Sequence, residues 1–343
     1  MDNRYLDYVK EMLFGLLSID SPSGFTSEVA EYASGQLRAL GYSPELTVKG
    51  GVFCRIGGEG SENGLLLDAH IDTLGAMVRR IKPDGRLMIK PIGGLAASNI
   101  ETEYAKVYTR DGRTYDATAQ LINASIHVNG EAAKTERNFD SVEIVLDEDV
   151  RSAEDVKALG IENGCYICFA PNTVITQSGY IKSRFLDDKL SAAILLGFAK
   201  YVHDEKIALS RPVYIHLTVY EEVGHGAAAM CPDGVNEILA VDMGCVGEGL
   251  ECTEKTVSIC AADTNGPYDY DITCRLVELA KKNGIGYAVD IYPHYFSDCA
   301  AAVGSYDLRQ ALIGAGVYAS HGYERSHLDG VRNTFDLLCA YVK

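Results

Sequence analysis

The run Gly64-Leu-Leu-Leu-Asp-Ala-His70 is short and almost continuously apolar, the pattern of a β-strand covered on both faces. A strand of this kind needs a layer on each side, so the chain is confined to folds that pack helices over a sheet. The preceding residues supply such helices. Residues 5–18 place Leu6, Val9, Met12, Leu13, Leu16 and Leu17 on one helical face. After a turn at Ser21-Pro-Ser-Gly24, a second amphipathic helix runs through Val29, Tyr32, Leu37 and Leu40 to a stop at Gly41. With 343 residues and 47% hydrophobic content, the chain can bury a large core.

Between residues 76 and 176 the pattern changes to short alternating runs: Arg86-Leu-Met-Ile-Lys, Tyr104-Ala-Lys-Val-Tyr-Thr, Ser125-Ile-His-Val, Ser141-Val-Glu-Ile-Val-Leu and Cys165-Tyr-Ile-Cys-Phe-Ala. These read as half-buried antiparallel strands of a small barrel or sandwich. Helix and buried-strand patterns return after Ile181: helices at 190–202, 268–282 and 331–342, and strands at 212–220, 238–241, 287–291 and 312–318. The expected organisation is an α/β domain formed by residues 1–75 and 177–343 and interrupted by a β-rich domain at 76–176.

Composition excludes several classes of function. A formal charge of −17 opposes binding to nucleic acid or anionic lipid, and no apolar run is long enough to span a membrane. The polar, acidic start Met1-Asp-Asn-Arg-Tyr-Leu-Asp is unlike a secretory signal, so a cytoplasmic protein is expected. The ten cysteines are scattered through apolar segments and read as reduced core thiols; Cys165-Tyr-Ile-Cys168 lacks a second pair or a histidine to complete a zinc site.

In α/β sheets, ligands bind beyond the carboxyl ends of the strands. There this chain places His70 and Asp72, the neighbouring Glu221 and Glu222, Asp242, and His321, with Asp187-Asp188 opening the helix after Phe185-Leu186. Imidazole and carboxylate without thiolate suit Zn²⁺, Co²⁺ or Mn²⁺, and the carboxylates exceed the needs of one tetrahedral ion. Two ions about 3.5–4 Å apart would use the excess, leaving one carboxylate to move protons.

Ser21-Pro-Ser-Gly24, Asp68-Ala-His-Ile-Asp72, Phe185-Leu-Asp-Asp-Lys189, Glu221-Glu-Val-Gly224, Ala240-Val-Asp-Met-Gly244, Ser297-Asp-Cys-Ala300 and Ser320-His-Gly-Tyr-Glu324 form an ordered set. In that order they resemble metallopeptidase family 42, the glutamyl-aminopeptidase and tetrahedral (TET) group of di-metal aminopeptidases. The resemblance implies a three-layer α/β/α di-zinc peptidase domain with an inserted β-barrel-like dimerisation domain. It implies two divalent ions per subunit, zinc first, with cobalt or manganese as alternatives. His70, Asp187 and Asp242 would hold one ion and Asp187, Glu222 and His321 the other, with Asp187 as the bridge between the ions and the Asp187–Asp188 peptide bond cis. Asp72 would orient His70, and Glu221 would be general base and then general acid. His321 follows its strand directly; His327 is the alternative last ligand. His225 suits a packing or supporting role.

The activity implied is removal of N-terminal residues from short peptides, by dimers that assemble into tetrahedral dodecamers. An N-acyl amino acid deacylase or amidohydrolase would use the same water activation, and a non-catalytic binding or assembly protein would retain only the scaffold. Some relatives have carried an endoglucanase label, but glycoside hydrolysis by paired carboxylates needs no histidine-rich metal set. The local run Ile71-Asp-Thr-Leu-Gly75 departs from the family's usual Met-Asp-Glu-Ile-Gly pattern.

Overall fold

The computed structural model describes residues 1–343. The chain forms two compact units, residues 1–72 with 172–343, and residues 73–171. It begins with helices α1 (Asn3–Leu17) and α2 (Ser27–Ala39), followed by strands β1 (Glu45–Leu46), β2 (Val52–Gly57) and β3 (Gly64–His70). The second unit holds β4 (Gly75–Ile81), β5 (Leu87–Ile92), β6 (Tyr104–Tyr108), β7 (Thr114–Leu121), β8 (Val142–Leu146), α3 (Ala153–Ala158) and β9 (Tyr166–Phe169). The first unit resumes with β10 (Val174–Ile175), β11 (Tyr180–Ser183), α4 (Leu186–Asp204), β12 (Val213–Thr218), β13 (Val235–Val241) and β14 (Gly244–Val246). It ends with β15 (Val257–Asp263), β16 (Gly266–Pro267), α5 (Tyr270–Asn283), β17 (Tyr287–Ile291), α6 (Asp298–Val303), β18 (Arg309–Tyr318), β19 (Glu324–His327) and α7 (Leu328–Val342).

The larger unit is built on a 13-stranded mixed sheet whose centre, in the order β12, β3, β13, β18, is parallel. All of β3 is buried, and its side chains alternate between two cores. Leu65, Leu67 and Ala69 join the cluster formed with α1, α2, α4, α5 and α7, whereas Leu66 joins a second cluster with Cys299 and Ala302 of α6. Leu239 and Val241 of β13 face the first cluster and Ile238 and Ala240 the second, the same period of two. One helical layer is therefore thick, and the opposite one is thin. Lys189, buried near the start of α4, donates to the carbonyls of Leu16 (2.9 Å) and Ile19 (2.7 Å), tying α4 to the end of α1 and the residues that follow it.

The smaller unit is a closed barrel in the order β4, β5, β8, β7, β6, β9. Its first residues precede Gly75, and Asn172–Thr176 return to the larger unit because Val174 pairs with Lys182 in the large sheet; the boundaries thus differ by a few residues from those expected at 76 and 176. Ser125-Ile-His-Val is not a strand. The amides of Val128 and Asn129 bond to the Ser125 carbonyl within a turn, and Ile126 and Val128 are exposed. The strand in that region is β7, whose inward residues Ala117, Ala119 and Leu121 are mostly too small to produce strong hydrophobic alternation. All ten cysteines are free thiols. No helix is long and apolar enough to cross a membrane.

Candidate metal centre

The parallel strands end side by side, and the sequence-selected residues collect there. His70 closes β3, in register with Thr218 at the end of β12. Beyond Thr218 the chain leaves extended geometry: Tyr220 is left-handed (φ 74°) and Glu221–Val223 form one 3₁₀ turn, closed by Gly224 at φ 86°. The two glutamates thus lie beyond the strand as consecutive residues of a tight turn. Both are buried.

Asp187 and Asp188 open α4 with non-helical backbone angles and a cis peptide bond between them. Asp242 follows β13, its N–H bonded to the Ile313 carbonyl of β18 at 3.0 Å. At Gly314 a Cβ would lie 1.6 Å from the Asp242 carbonyl oxygen, so only glycine permits this approach of the two strands. His321 occupies the turn after β18 at φ 63° and is 39% exposed.

Asp187 touches both imidazoles with different oxygens. His70 Nε2 lies 3.0 Å from Oδ1, and His321 Nε2 lies 3.5 Å from Oδ2. His321 Nε2 is also 3.7 Å from Glu222 Oε2, and Glu221 Oε2 is 3.6 Å from His70 Nε2. Ligand atoms of His70, Asp187 and Glu222 all lie within 4.8 Å of one another, as do those of His70, Asp188 and Asp242. The second group differs from the set implied by family resemblance in containing Asp188.

The relation between Asp72 and His70 also differs in detail. His70 Nδ1 is 2.9 Å from the Asp72 backbone carbonyl and 3.6 Å from its carboxylate. The carboxylate instead accepts from the Glu221 N–H (3.2 Å) and the Ser23 hydroxyl, joining the Ser21-Pro-Ser-Gly24 turn to the glutamate turn. His327 lies outside the cluster. Its Nδ1 accepts from the Asp329 N–H as the cap of α7, and its Nε2 is 2.8 Å from the Ser178 carbonyl, so both ring nitrogens are engaged. His225 is exposed and stacked on Tyr220, with centroids 5.0 Å apart.

Sequence reasoning did not assign roles to Asp188 and Glu324. Asp188 Oδ2 accepts from the His70 N–H at 3.3 Å, while its buried Oδ1 has no hydrogen-bond partner. Glu324 receives the N–H groups of Asp187 and His321, each at 3.1 Å. A glutamate in a turn-like segment carries no local mark of burial, which arises here from β19 pairing with β11.

Burial of so many acids in one place has an electrostatic cost. Burial raises the carboxyls of Asp188 and Glu222 well above the ordinary range, and the negative charges of Asp242 and Asp187, respectively, add to it. Burial, reinforced by Asp187, lifts Asp242 to about 7 and Glu324 to about 8. Burial also acts to raise Asp187, but bonds to His321 and His70 outweigh it and hold the carboxyl well below the usual range. His321 is disfavoured as a cation by burial, yet Asp187 and Glu222 raise it to about 10. A cluster with this excess of carboxylate, two imidazoles and an orphaned carboxylate oxygen has the donor chemistry to hold divalent cations.

The M42 glutamyl aminopeptidase family model matches residues 50–337. The Bacillus subtilis (strain 168) protein named "Putative aminopeptidase YhfE" is 42% identical over 334 residues, covering 97% of this chain and 96% of its own. The glutamyl aminopeptidase of Lactococcus lactis subsp. cremoris (strain MG1363) is 26% identical over 234 residues, 67% of this chain and 64% of its own. Among solved structures, a TET aminopeptidase from a marine sediment Thaumarchaeota archaeon gives a TM-score of 0.88 at 19% identity, covering 98% of this chain and 96% of that one. The Pyrococcus horikoshii TET1 peptidase gives 0.85 at 21% identity, covering 97% and 99%. These structural likenesses establish the α/β fold. The family match over most of the chain, with a relative at 42% identity across nearly all of it, shows that the protein belongs to the M42 glutamyl aminopeptidase family.

Proposed function

We propose that the chain removes N-terminal residues from short peptides at this centre. The observation that carries the reading is the placement of Asp187 between His70 and His321, with Glu221 beside the first imidazole and Glu222 beside the second. His70, Asp187 and Asp242 would hold one divalent ion, and Asp187, Glu222 and His321 a second. When bound, such ions supply Lewis acidity for the scissile carbonyl and lower the pKa of water.

Glu221 is left to move the proton. Burial, aided by Asp242 and opposed by the His70 imidazole, raises its carboxyl well above the ordinary value, which suits a group that alternates between base and acid. Its carboxylate takes a proton from the attacking water and delivers it to the departing amine. Asp72 holds the Glu221 backbone by its N–H and His70 Nδ1 by its own carbonyl, so one residue fixes both the base and a ligand. Self-association through the barrel unit belongs to the same reading: the Pyrococcus horikoshii TET1 relative is described as assembling into a tetrahedron or a large octahedral shell.

The test is an aminoacyl-p-nitroanilide panel, with N-blocked counterparts, on chelated enzyme reconstituted in turn with zinc, cobalt and manganese. Turnover of free-amine substrates that depends on added metal is expected; equal or faster cleavage of the blocked series would instead indicate a deacylase. Glu221→Gln should retain metal and lose turnover by about 10²-fold or more. Glu222→Gln should lose metal, read by elemental analysis after dialysis.

A further inference from the structure

Asp298 opens α6 and is buried, yet the proposed chemistry gives it no part. Its Oδ1 accepts from the Ala227 N–H at 2.7 Å, and its Oδ2 accepts from the Thr218 hydroxyl. Thr218 is the last residue of β12, and Ala227 begins the next 3₁₀ turn. Between them lie residues 219–226, including Glu221 and Glu222. A single carboxylate therefore ties together both ends of the segment that carries the glutamate pair.

Gly226 supplies an independent sign that this contact is built into the chain. A Cβ there would stand 2.5 Å from both Asp298 carboxylate oxygens. The backbone at Gly226, with φ −62°, is open to any L-residue, so the missing side chain is accounted for by the carboxylate packed against it and not by conformation. Thr218 extends the connection, since it pairs in register with His70 and its hydroxyl is 3.5 Å from the Ala69 carbonyl.

We propose that Asp298 is a positioning residue for the reaction. By receiving a hydroxyl and an N–H from the two ends of residues 219–226, it keeps the Glu221 carboxylate beside His70. Two hydrogen bonds converging on one buried carboxyl fix both ends of a short turn, and a shift of about 1 Å in a reacting group can cost about 10²-fold in rate. The inference rests on the reading of Glu221 as general base.

The test compares metal-loaded, full-length Asp298→Asn, Thr218→Val, Thr218→Ser and Gly226→Ala, together with Glu221→Gln and the double variant carrying Asp298→Asn and Glu221→Gln. For each, kcat and KM are measured on the best nitroanilide, bound metal by elemental analysis, and amide exchange for residues 219–227. Asp298→Asn, Thr218→Val and Gly226→Ala should lower kcat by about 10- to 100-fold, with KM and metal content within about twofold and faster exchange in the segment. Thr218→Ser, which keeps the hydroxyl, should restore kcat, and the double variant should be no slower than Glu221→Gln alone. Wild-type kcat in folded Asp298→Asn and Thr218→Val overturns the proposal, as does a loss that tracks metal content while exchange is unchanged. Should Asp298→Asn fail to fold, Thr218→Val and Gly226→Ala decide. An active Glu221→Gln would remove the general-base reading itself; an inactive Glu221→Gln beside fully active Asp298→Asn and Thr218→Val would remove only the positioning role.

Discussion

Asp72, Asp188 and Glu324 each accept a backbone N–H from a segment that carries a proposed ligand or the proposed base. Carboxylates in this centre thus orient the main chain, which accounts for acids beyond those proposed as ligands. The same crowding makes ion uptake proton-linked. Asp187 and Glu222, acting against burial, raise His321 to about 10, so its imidazole is a cation at pH 7 in the metal-free protein and must lose a proton to become a ligand. Metal affinity should therefore climb with pH throughout the range below about 10. Calorimetric titration of zinc into chelated protein at pH 7 should give an apparent enthalpy that varies with the ionisation enthalpy of the buffer; no buffer dependence would show that the site binds without releasing protons. Most of this residue-level chemistry was legible as residue type and strand-end position. The exceptions, Asp188 and Glu324, gained their roles from strand pairing and main-chain geometry, which leave no trace in local composition.

At the level of elements, the centre depends on turns that depart from regular geometry. Phe185 (φ 66°), Tyr220 (φ 74°) and His321 (φ 63°) adopt left-handed conformations at or beside the residues that face the centre, each at a cost on the order of 1–3 kcal/mol. Periodicity identifies strands and helices and stops where such turns begin, which is why the sequence places the glutamate pair beyond a strand but does not reveal its 3₁₀ turn. Helices α1, α5 and α7 and strands β3, β13, β17 and β18 were legible within a few residues because their apolar repeats are strong. β7 was not, because alanine lines its inner face. The approach of β18 to Asp242 gives an element-scale prediction. Gly314→Ala would place a methyl group 1.6 Å from the Asp242 carbonyl oxygen and should destabilise the protein by about 3 kcal/mol while lowering metal occupancy, measured by urea unfolding and elemental analysis.

Across the whole molecule, another charged group is buried at Glu237 near the opposite end of β13 from Asp242. Its Oε1 meets Arg211 at 2.5 Å and the Tyr341 hydroxyl of α7, and its Oε2 meets Arg309 at 3.1 Å. Burial acts to raise the Glu237 carboxyl, but Arg211 and Tyr341, helped by Arg309, outweigh it and hold the value below the ordinary 4.5. Because the folded-state value is depressed, the stabilisation is complete above the unfolded value and is lost as pH falls through the folded one. Glu237→Gln should therefore cost about 2 kcal/mol at pH 7, since it leaves the half-buried Arg211 without its countercharge, and the difference from wild type should shrink in unfolding curves taken below pH 4.5.

The order in which the proposed ligands occur along the chain bears on when activity can arise. His70 precedes the barrel unit, Asp187, Glu222 and Asp242 follow it, and His321 comes only after β18. A polypeptide still emerging from the ribosome holds an incomplete set until that last turn is made, as does any fragment cut before it. On the proposed ligand set, peptide-cleaving capacity would consequently appear late and all at once in the life of each molecule.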